Sequence, residues 1–401
     1  MKLEKLFLLG AIALGLAACS NEDTPVVQQA KNATMSLRIV QGGTRAIGDS
    51  ELTTKESKIK RLDVFVFNGD ARDGYERAEN EDGVTEVKDI KVTTGSRTMM
   101  VVANATFTKE EMKAITSKAD LLTKVATDLA TQTLENGLLM TGEVTEAFTI
   151  APGKNYYGYP DQPGVDAENQ HSKNEPVKLI RVPARVSLIS AVTAFEGSYA
   201  GFTFELEEVF LFNAKKQSKY FGDPGALVAG TELLSGVDLS SFRGPLKPGT
   251  WVPEWTAPYL LDVKASFPAG LGSITEATPV YYYVFENDAS VQPTVLSIKG
   301  KIKKADNTYA TNGEFPDAID AQGFTYYSIL VNATRDGYTY PGENTGITGD
   351  KIIRRNTHYK ISVTIKRIGK KDPTDPPIEP ATLDVKVEVV DWKIVNQEVV
   401  Y

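Results

Sequence analysis

The sequence has almost no cysteine and very little histidine. Cys19 is the single cysteine among 401 residues, and the two histidines are His171 and His358. No disulfide can form within the chain, and a metal site built from several Cys and His ligands is excluded. His171 lies in a polar stretch and His358 follows two arginines, so we expect both to be structural or solvated.

Common catalytic and nucleotide-binding motifs are also missing. The chain contains no Gly-x-Ser-x-Gly, no P-loop and no Gly-x-Gly-x-x-Gly. Residues 80–83 read as a turn, because the ligand spacing of a calcium loop is incomplete. One kind of enzyme stays possible from the sequence. Acidic residues are plentiful, so two of them could form the catalytic carboxylate pair of a glycosidase. We expect a protein that is not an enzyme and has no cofactor and no metal.

Basic residues are outnumbered. The chain has 44 Lys and Arg against 52 Asp and Glu, and residues 46–401 hold 39 and 49 of them, a net charge of −10. Such a surface gives no general basis for binding nucleic acid. After the N-terminal segment no apolar run approaches the ~20 residues that a membrane helix needs. At this length two domains are the natural expectation.

The N-terminus has the pattern of an exported lipoprotein. Lys2 and Lys5 precede an apolar run at residues 6–16, which ends in Leu16-Ala17-Ala18-Cys19. A charged start, a short apolar core and small residues before a cysteine are typical of a secretory signal with a lipobox. We predict a signal at residues 1–19, lipidation of Cys19 and attachment to a membrane by the lipid alone. A buried free thiol is the alternative.

Residues 20–45 read as a second removable segment. Residues 20–32 are polar and predict a disordered tether. Met35, Leu37 and Ile39 then alternate with their neighbours, which predicts a half-buried strand over residues 35–40. A flexible stretch with Arg45 between small residues follows, where a protease could reach the chain. Taken alone, Arg45 is an ordinary solvated loop arginine.

Most of the remaining chain predicts β-structure. One exception begins at Thr108, where a capping box with Glu111 opens an amphipathic helix extending to Leu129. We expect this helix to cover one face or end of a sheet. The predicted strands are rich in β-branched and aromatic residues and lie at residues 62–67, 98–103, 186–192, 202–212, 280–285, 326–331 and 359–365.

An internal repeat is suggested by two pairs of similar segments. Residues 64–70 precede 101–106 in the first half, and residues 283–288 precede 329–334 in the second. A repeat would make each half a related sandwich. The polar stretch at 159–176 places the boundary between a domain at 46–175 and a domain at 176–401.

The C-terminus is apolar, which is unusual for a chain end. A proline-rich segment at 371–380 is expected to be stiff and extended. Apolar residues then follow at Val385, Val387, Val389, Trp392, Ile394, Val399 and Tyr401. An unpaired apolar strand invites association, although the strand could equally close its own sheet.

The chain resembles a known family at many of these positions. Ala214-Lys215-Lys216-Gln217-Ser218 followed by Phe221-Gly222 is similar to fimbrillin, the FimA-type major subunit of Bacteroidales type V fimbriae. The resemblance continues through nearly the whole chain, at residues 58–62, 65–69, 97–104, 151–156, 286–288, 356–361 and 391–395.

This resemblance implies a mainly β fold, with two transthyretin-like β-sandwich domains and the helix in the first of them. It also implies a lipoprotein precursor, lipidated at Cys19 and delivered to the outer membrane, and cleavage of the Arg45–Ala46 bond by an arginine-specific protease. Loss of residues 20–45 would remove the strand of Met35, Leu37 and Ile39 and open a groove. A C-terminal strand at about 385–401 of a neighbouring subunit would fill the groove.

The implied partners are identical subunits in a filament, the protease, minor fimbrial subunits and host or bacterial surface ligands. The rival interpretation is a related lipoprotein that keeps its lipid: a fimbrial anchor, a tip adhesin or a surface glycan-binding module. Aromatic residues could then stack on sugar, either Tyr156, Tyr157 and Tyr159 or Trp251 and Trp255. An anchor needs no arginine site and a tip subunit needs no donor strand. The sequence has both, so a stalk subunit that supports adhesion and biofilm formation is favoured.

Overall fold

A computed structural model describes residues 31–39, 55–222, 228, 233–237, 271–288, 293–332, 352–374 and 383–391. Several residues singled out in the sequence lie outside these ranges, namely Cys19, Arg45, Ala46, Trp251, Trp255, Trp392, Ile394, Val399 and Tyr401.

Of the first ten strands, all except β6 build an N-terminal pair of sheets. The ten are β1 (Ala33–Arg38), β2 (Arg61–Asn68), β3 (Ala71–Glu79), β4 (Glu86–Val92), β5 (Gly95–Ala103), β6 (Val125–Ala126), β7 (Met140–Ile150), β8 (Gly153–Tyr157), β9 (Gln170–His171) and β10 (Ile180–Arg181). One sheet has the order β4-β1-β8-β9 and the other β10-β7-β5-β2-β3. Their facing side chains share one buried apolar cluster, which makes this half a sandwich.

Seven of the remaining twelve strands build a second sandwich, and the other five form short ladders. The twelve are β11 (Ala184–Thr193), β12 (Thr203–Phe212), β13 (Ala214–Lys215), β14 (Ser218–Lys219), β15 (Leu233–Leu234), β16 (Val280–Val284), β17 (Asn287–Asp288), β18 (Val295–Lys303), β19 (Thr325–Leu330), β20 (Ile352–Ile353), β21 (Thr357–Ile365) and β22 (Leu383–Asp391). The sheets of the sandwich have the orders β16-β11-β21-β22 and β12-β18-β19. Short two-strand ladders join β13 to β15, β14 to β6 and β17 to β20. All seven strands predicted above are present, which confirms the mainly β fold.

The prediction of one continuous helix after Thr108 is wrong. Its capping box is present, because Thr108 N–H donates to Glu111 Oε2 at 2.8 Å and Glu111 N–H donates to Thr108 Oγ1 at 3.2 Å. The helix ends early, as α1 (Lys109–Lys113), and a second helix, α2 (Lys118–Leu122), follows.

The break in the helix has a tertiary cause. Arg72 N–H donates to Thr116 O at 2.8 Å, and Lys118 N–H donates to Asp70 O at 2.8 Å, so the chain stops to pair with the edge of β3. Ser117 then caps α2. A 3₁₀ turn follows at Leu129–Thr131. Met112 faces the core as predicted, whereas Leu122 is 40% exposed.

The two sandwiches repeat one arrangement of strands. In the first, β1 lies between antiparallel β4 and parallel β8, and in the second, β11 lies between antiparallel β16 and parallel β21. Asn104 after β5 and Asn332 after β19 both adopt the left-handed conformation, with φ of 55° and 51°. The predicted match of 64–70 with 283–288 is wrong, because the first lies largely in β2 and the second begins in β16, beside β11. In the described part of the chain no helix is long and apolar enough to cross a membrane.

Candidate functional site

The strand predicted at residues 35–40 is present as β1, and it is an interior strand of its sheet. Met35 pairs with Ile90 of β4 on one side and with Asn155 of β8 on the other. Leu37 likewise lies between Val87 and Tyr157. Beyond the strand, Ile39 N–H donates to Thr85 O at 2.8 Å. The backbone of β1 is therefore hydrogen-bonded along both edges.

One face of β1 is buried completely in the sandwich. Met35 and Leu37 are 0% exposed and Ile39 is 1% exposed. These side chains belong to the same apolar cluster as Val64 of β2 and Val101 of β5, which lie in the facing sheet. Burial of three large apolar side chains is worth about 1.5–3 kcal/mol each before ordering costs. β1 is thus a substantial part of the N-terminal core.

Polar contacts fix β1 beside β8. Asn155, buried between the two strands, donates from Nδ2 to Thr34 O at 3.3 Å and to Ala151 O at 2.8 Å. Its Oδ1 accepts from Ala151 N–H at 3.0 Å and lies 3.3 Å from His171 Nε2. Burial lowers the pKa of His171, so the ring is neutral near pH 7. His171 thus has a structural position.

A glycine lets the chain pass close to the end of β1. Gly158 has φ of +76°, and a Cβ there would lie 2.9 Å from Arg38 O and 2.7 Å from Pro176 Cα. Only glycine tolerates both the conformation and the close approach.

The pairing and burial of β1 show what its removal would do. Without residues 31–39 a cleft would remain between β4 and β8, with unpaired backbone groups on both walls and an apolar floor.

The predicted donor residues Val385, Val387 and Val389 lie in β22. This strand runs antiparallel to β21 over its full length, from Thr357 opposite Asp391 to Ile365 opposite Leu383. β22 is the last strand of its sheet in the described part of the chain. In this structure it completes its own sandwich.

The segment between β21 and β22 crosses to the opposite sheet. Tyr326 N–H donates to Lys370 O at 2.8 Å, and Lys370 N–H donates back to Tyr326 O at 3.0 Å. Ser328 Oγ donates to Pro373 O at 2.7 Å. The start of the predicted proline-rich segment is thus fixed against β19.

A buried ionic network that the sequence does not predict joins the segment before β2 to the second sandwich. The Glu56 carboxylate accepts from Arg185 Nη1 at 2.9 Å and from Tyr283 OH at 2.7 Å. Arg181 Nη2 donates to Ser57 Oγ at 2.8 Å. Burial raises the pKa of Glu56, and Arg185 opposes that shift. Burial lowers the pKa of Arg181 to about 10.

His358 extends this network. Arg185 Nη2 lies 2.9 Å from His358 Nδ1, and Ser187 Oγ lies 2.8 Å from His358 Nε2. Burial, together with the charge of Arg185, lowers the pKa of His358 to about 2. The ring is therefore neutral, with Nδ1 accepting from Arg185 and Nε2 donating to Ser187. His358 is structural, as expected.

The string at residues 214–222 forms a second connection between the sandwiches. Ser218 and Lys219, in β14, pair with β6 of the N-terminal half. Thr106 N–H donates to Tyr220 OH at 2.9 Å. Arg355 donates to Tyr220 O at 2.9 Å and binds Glu286 through Nε at 3.0 Å. The most specific motif of the sequence therefore builds the junction of the two halves.

The tyrosines suggested for sugar stacking do not form an exposed platform. Tyr157 is 8% exposed and packs on Phe148, with ring centroids 5.1 Å apart. Tyr159 OH donates to Glu86 at 2.9 Å, and its ring meets Tyr156 edge-on. In the described ranges no three His, Cys, Asp or Glu side chains are grouped as a metal site requires.

Comparison with protein families covers both sandwiches. The family described as "Major fimbrial subunit protein (FimA)" matches residues 33–181. The family described as "FimA4 pilin C-terminal domain" matches residues 184–392. The two matches meet between β10 and β11, where the chain passes from one sandwich to the other.

Individual relatives agree with these matches. The chain is 35% identical to a major fimbrium subunit FimA type-5 of Porphyromonas gingivalis, over 100% of both chains. It is also 35% identical to a FimA type-4 subunit of P. gingivalis W83, over 99% of each. The crystal structure of a P. gingivalis W83 fimbrilin superposes with a TM-score of 0.70 at 30% identity, covering 92% of this chain and 99% of that one.

Proposed function

The chain belongs to the FimA family of major fimbrial subunits, a family of structural proteins and not of enzymes, and from this premise we propose that it polymerises by donor-strand exchange. In this proposal β1 fills a groove in the precursor, proteolysis removes it, and a C-terminal segment of the next subunit replaces it. The product is the stalk of a cell-surface fimbria that supports adhesion and biofilm formation.

The observation that carries the proposal is the position of β1. A terminal strand that is interior to its sheet can be exchanged for a strand of another chain without changing the rest of the fold. Burial of the Met35, Leu37 and Ile39 side chains contributes roughly 5–9 kcal/mol to stability before ordering costs are subtracted. An empty groove would expose that surface, so the cleaved subunit has a strong tendency to accept a replacement. Because groove and donor are different surfaces, the contact does not close and a filament grows.

The segment after β22 is the best donor. β22 is already paired within its own sheet, whereas residues 392–401 are ten residues that can span roughly 33 Å when extended. Residues 33–39 span only roughly 23 Å by the same measure. We therefore narrow the donor from 385–401 to 392–401, leaving Val385, Val387 and Val389 in place.

The spacing of the apolar residues sets the register of the donor. Trp392 and Ile394 lie on one face of a regular strand, and Val399 and Tyr401 lie on the other, because the side-chain period is two. A donor as long as residues 33–39 needs only the last seven residues, 395–401. Over these, one face carries Val395, Gln397, Val399 and Tyr401, and the other carries Asn396, Glu398 and Val400. The second face is the costlier to bury, because Glu398 is charged. The inward face is then that of Val399 and Tyr401.

Export and processing complete the proposal. Cys19 carries the lipid and brings the precursor to the outer membrane, and an arginine-specific protease cuts between Arg45 and Ala46. The position of Glu56 supports cleavage at this bond. Glu56 lies ten residues after Ala46, and its buried contacts would keep the new N-terminal segment attached when β1 leaves. Each half is proposed to be transthyretin-like, consistent with two packed sheets per half.

The partners follow from the same assembly: identical subunits, the protease, minor subunits, and surface ligands of a host or another bacterium. The alternative is a lipid-retaining fimbrial anchor, a tip adhesin or a surface glycan-binding lipoprotein. A Parabacteroides distasonis protein named "Putative fimbrium tip subunit Fim1C", 23% identical over 90% of this chain, favours the tip adhesin among these. A tip subunit would not donate residues 392–401 to a further copy, and an anchor would not need cleavage after Arg45.

Disulfide trapping tests the proposal. Val87 of β4 lies directly opposite Leu37, so a cysteine at Val87 faces the central position of the groove. We expect Val87→Cys combined with Val399→Cys to give a ladder of covalent multimers in processed protein, since no other thiol remains after Cys19 is removed. Val87→Cys with Val400→Cys is the matched control and should crosslink poorly. Intramolecular crosslinks alone, with filaments intact, would contradict strand exchange.

A further inference from the structure

A cavity of about 310 Å³ opens at the end of the N-terminal sandwich where β2 begins and β5 ends. This volume lies at the lower end of the range for small-molecule sites. Side chains of mixed character line it, among them Arg61, Phe107, Thr108, Thr131, Gln132 and Asn136.

The wall of the cavity is rigid. Asn104, in the left-handed conformation, accepts from Lys60 N–H at 2.9 Å and donates to Lys58 O and Leu138 O, each at 2.9 Å. Gly137 packs against it so closely that a Cβ would lie 2.4 Å from Asn104 Nδ2. One side chain thus ties together three pieces of backbone, and the cavity is formed before any ligand arrives.

Arg61 supplies a positive charge that forms no ion pair with a carboxylate of the described residues. Its Nη2 donates to Asn136 O at 3.4 Å, and no carboxylate of the described residues lies within 4.0 Å. The neighbouring acids are engaged elsewhere. Glu79, opposite Arg61 in the sheet, pairs with Arg77 at 3.1 Å, and Glu81 pairs with Lys60 at 2.6 Å. The Arg61 guanidinium is therefore available to a carboxylate, which it can bind through two parallel hydrogen bonds.

The other walls offer groups that suit a polyol. Gln132 is 4% exposed, and its Nε2 donates to Thr131 Oγ1 at 3.2 Å, which uses one of two amide hydrogens. Its Oε1 accepts from Leu139 N–H at 2.9 Å, so the orientation of the amide is fixed. The half-buried Phe107 adds an apolar surface, and Asn136 and Thr131 add polar ones.

We propose that this cavity binds a sugar unit that carries a carboxylate, such as a hexuronic acid or a nonulosonic acid, with Arg61 holding the carboxylate. A simple anion would use Arg61 and leave Gln132 and Phe107 without a role. A neutral sugar would leave the guanidinium unpaired. The site lies outside β1 and the donor segment, so it does not depend on strand exchange.

Titration of the soluble processed protein by calorimetry or NMR tests this site, with glucuronate and N-acetylneuraminate as probes and glucose and acetate as comparisons. We expect at least one acidic sugar to bind more tightly than either comparison. Arg61→Gln should weaken that binding roughly tenfold to hundredfold, the range for losing a charge-assisted pair. Arg367→Gln, at an exposed arginine of the second sandwich, should leave it unchanged.

Gln132→Leu gives a second measurement at a residue that does not carry the charge. It should weaken glucuronate binding and leave acetate binding unchanged, provided that the far-UV circular dichroism spectrum is that of the unsubstituted protein. Equal affinity for acetate and glucuronate, equal affinity for glucose, unchanged binding by Arg61→Gln, or no binding of either acidic sugar at millimolar concentration would each overturn the proposal.

Discussion

Arg185 donates a hydrogen bond to the Glu56 carboxylate over 2.9 Å, which joins the chain just after the proposed cleavage site to the first strand of the second sandwich. The Arg185 side chain is 2% exposed and that of Glu56 is 0% exposed. If the chain is cleaved at the proposed site, the segment at Glu56 would stay attached through these buried contacts to Arg181 and Arg185.

Loss of this contact should destabilise the whole subunit. Glu56→Ala leaves the Arg181 and Arg185 guanidinium groups buried without the carboxylate, and breaking such a pair costs about 3–5 kcal/mol. Glu81→Ala, which removes the partner of Lys60, is the control, because the Glu81 side chain is 79% exposed and an exposed ion pair contributes little to stability. Urea denaturation of both variants measures the difference. Equal midpoints would show that the network is not important for stability.

Acid should destabilise the protein through His358. The folded-state pKa is lowered to about 2 from the usual 6.5, so the unfolded chain binds the proton first as the pH falls. The stability contributed by a neutral His358 is therefore full above about pH 6.5 and is lost progressively below it. Between pH 7 and pH 5 the loss from this residue is about 2 kcal/mol.

His358→Gln should flatten this dependence, since glutamine does not titrate. Unfolding free energies measured by urea at pH 7 and pH 5 compare the slopes. His171→Gln is the control, and because the burial of His171 is partial it should change the slope less. A His358→Gln protein with the original slope would mean that other groups control the acid response.

The strands and the burial of one face of β1 could be predicted from the sequence. The buried ionic network between the two halves could not. Alternation of Met35, Leu37 and Ile39 reports burial on one face, and that signal is local. Glu56, Arg185 and His358 are far apart in the chain, and no periodicity connects them. A buried carboxylate and a solvated one look alike in a sequence.

The broken helix has a similar explanation. The apolar spacing after Thr108 is helical, and it correctly predicts burial of Met112, Ile115 and Leu129. It also predicts burial of Leu122, which is wrong, because Leu122 is 40% exposed and its neighbour Leu121 is the buried residue. The break depends on pairing of Thr116 with Arg72, which is a tertiary contact with the edge of β3. The pairing of the internal repeat failed for a related reason, because short apolar strands are alike whichever sheet they join.

Gly158 should not tolerate a side chain, even though it carries no chemistry. Gly158→Ala adds a methyl group close to Arg38 O at a φ of +76°, so we expect a loss of at least about 2 kcal/mol. Gly164→Ala is a matched control with φ of +78° and nothing within 4 Å, where only the conformational cost of about 1 kcal/mol applies. Chemical denaturation of the precursor measures both. Equal losses would show that the contact with the end of β1 is unimportant.

Processing should depend on a single residue. Arg45→Ala is expected to leave a full-length, lipidated precursor that retains β1 and does not polymerise, because the groove stays occupied. Cys19→Ala should prevent lipidation and delivery to the outer membrane. N-terminal sequencing of purified fimbriae checks the cleavage, with Ala46 expected as the first residue. A start that retains residues 33–39 would contradict the processing step.

The two parts of the C-terminus should behave differently when they are deleted. A chain that ends at Asp391 keeps β22 and its full pairing with β21, so its unfolding free energy should stay within about 1 kcal/mol of the complete protein. A chain that ends at Ala381 loses β22 and exposes the edge of β21, which should cost several kcal/mol. Both chains lack the proposed donor and should form no filaments.

Thermal unfolding and electron microscopy of the same two proteins separate the alternatives. If residues 392–401 are the donor, the chain that ends at Asp391 is as stable as the intact subunit and is fully processed. It stays monomeric, because its groove is open and it cannot donate a strand. Filaments from that chain would mean that the donor lies elsewhere, with β22 the next candidate, since Val385, Val387 and Val389 also alternate. The chain that ends at Asp391 would then have to donate β22 in order to assemble. A subunit within the filament would lose the pairing between β21 and β22 that the free subunit has.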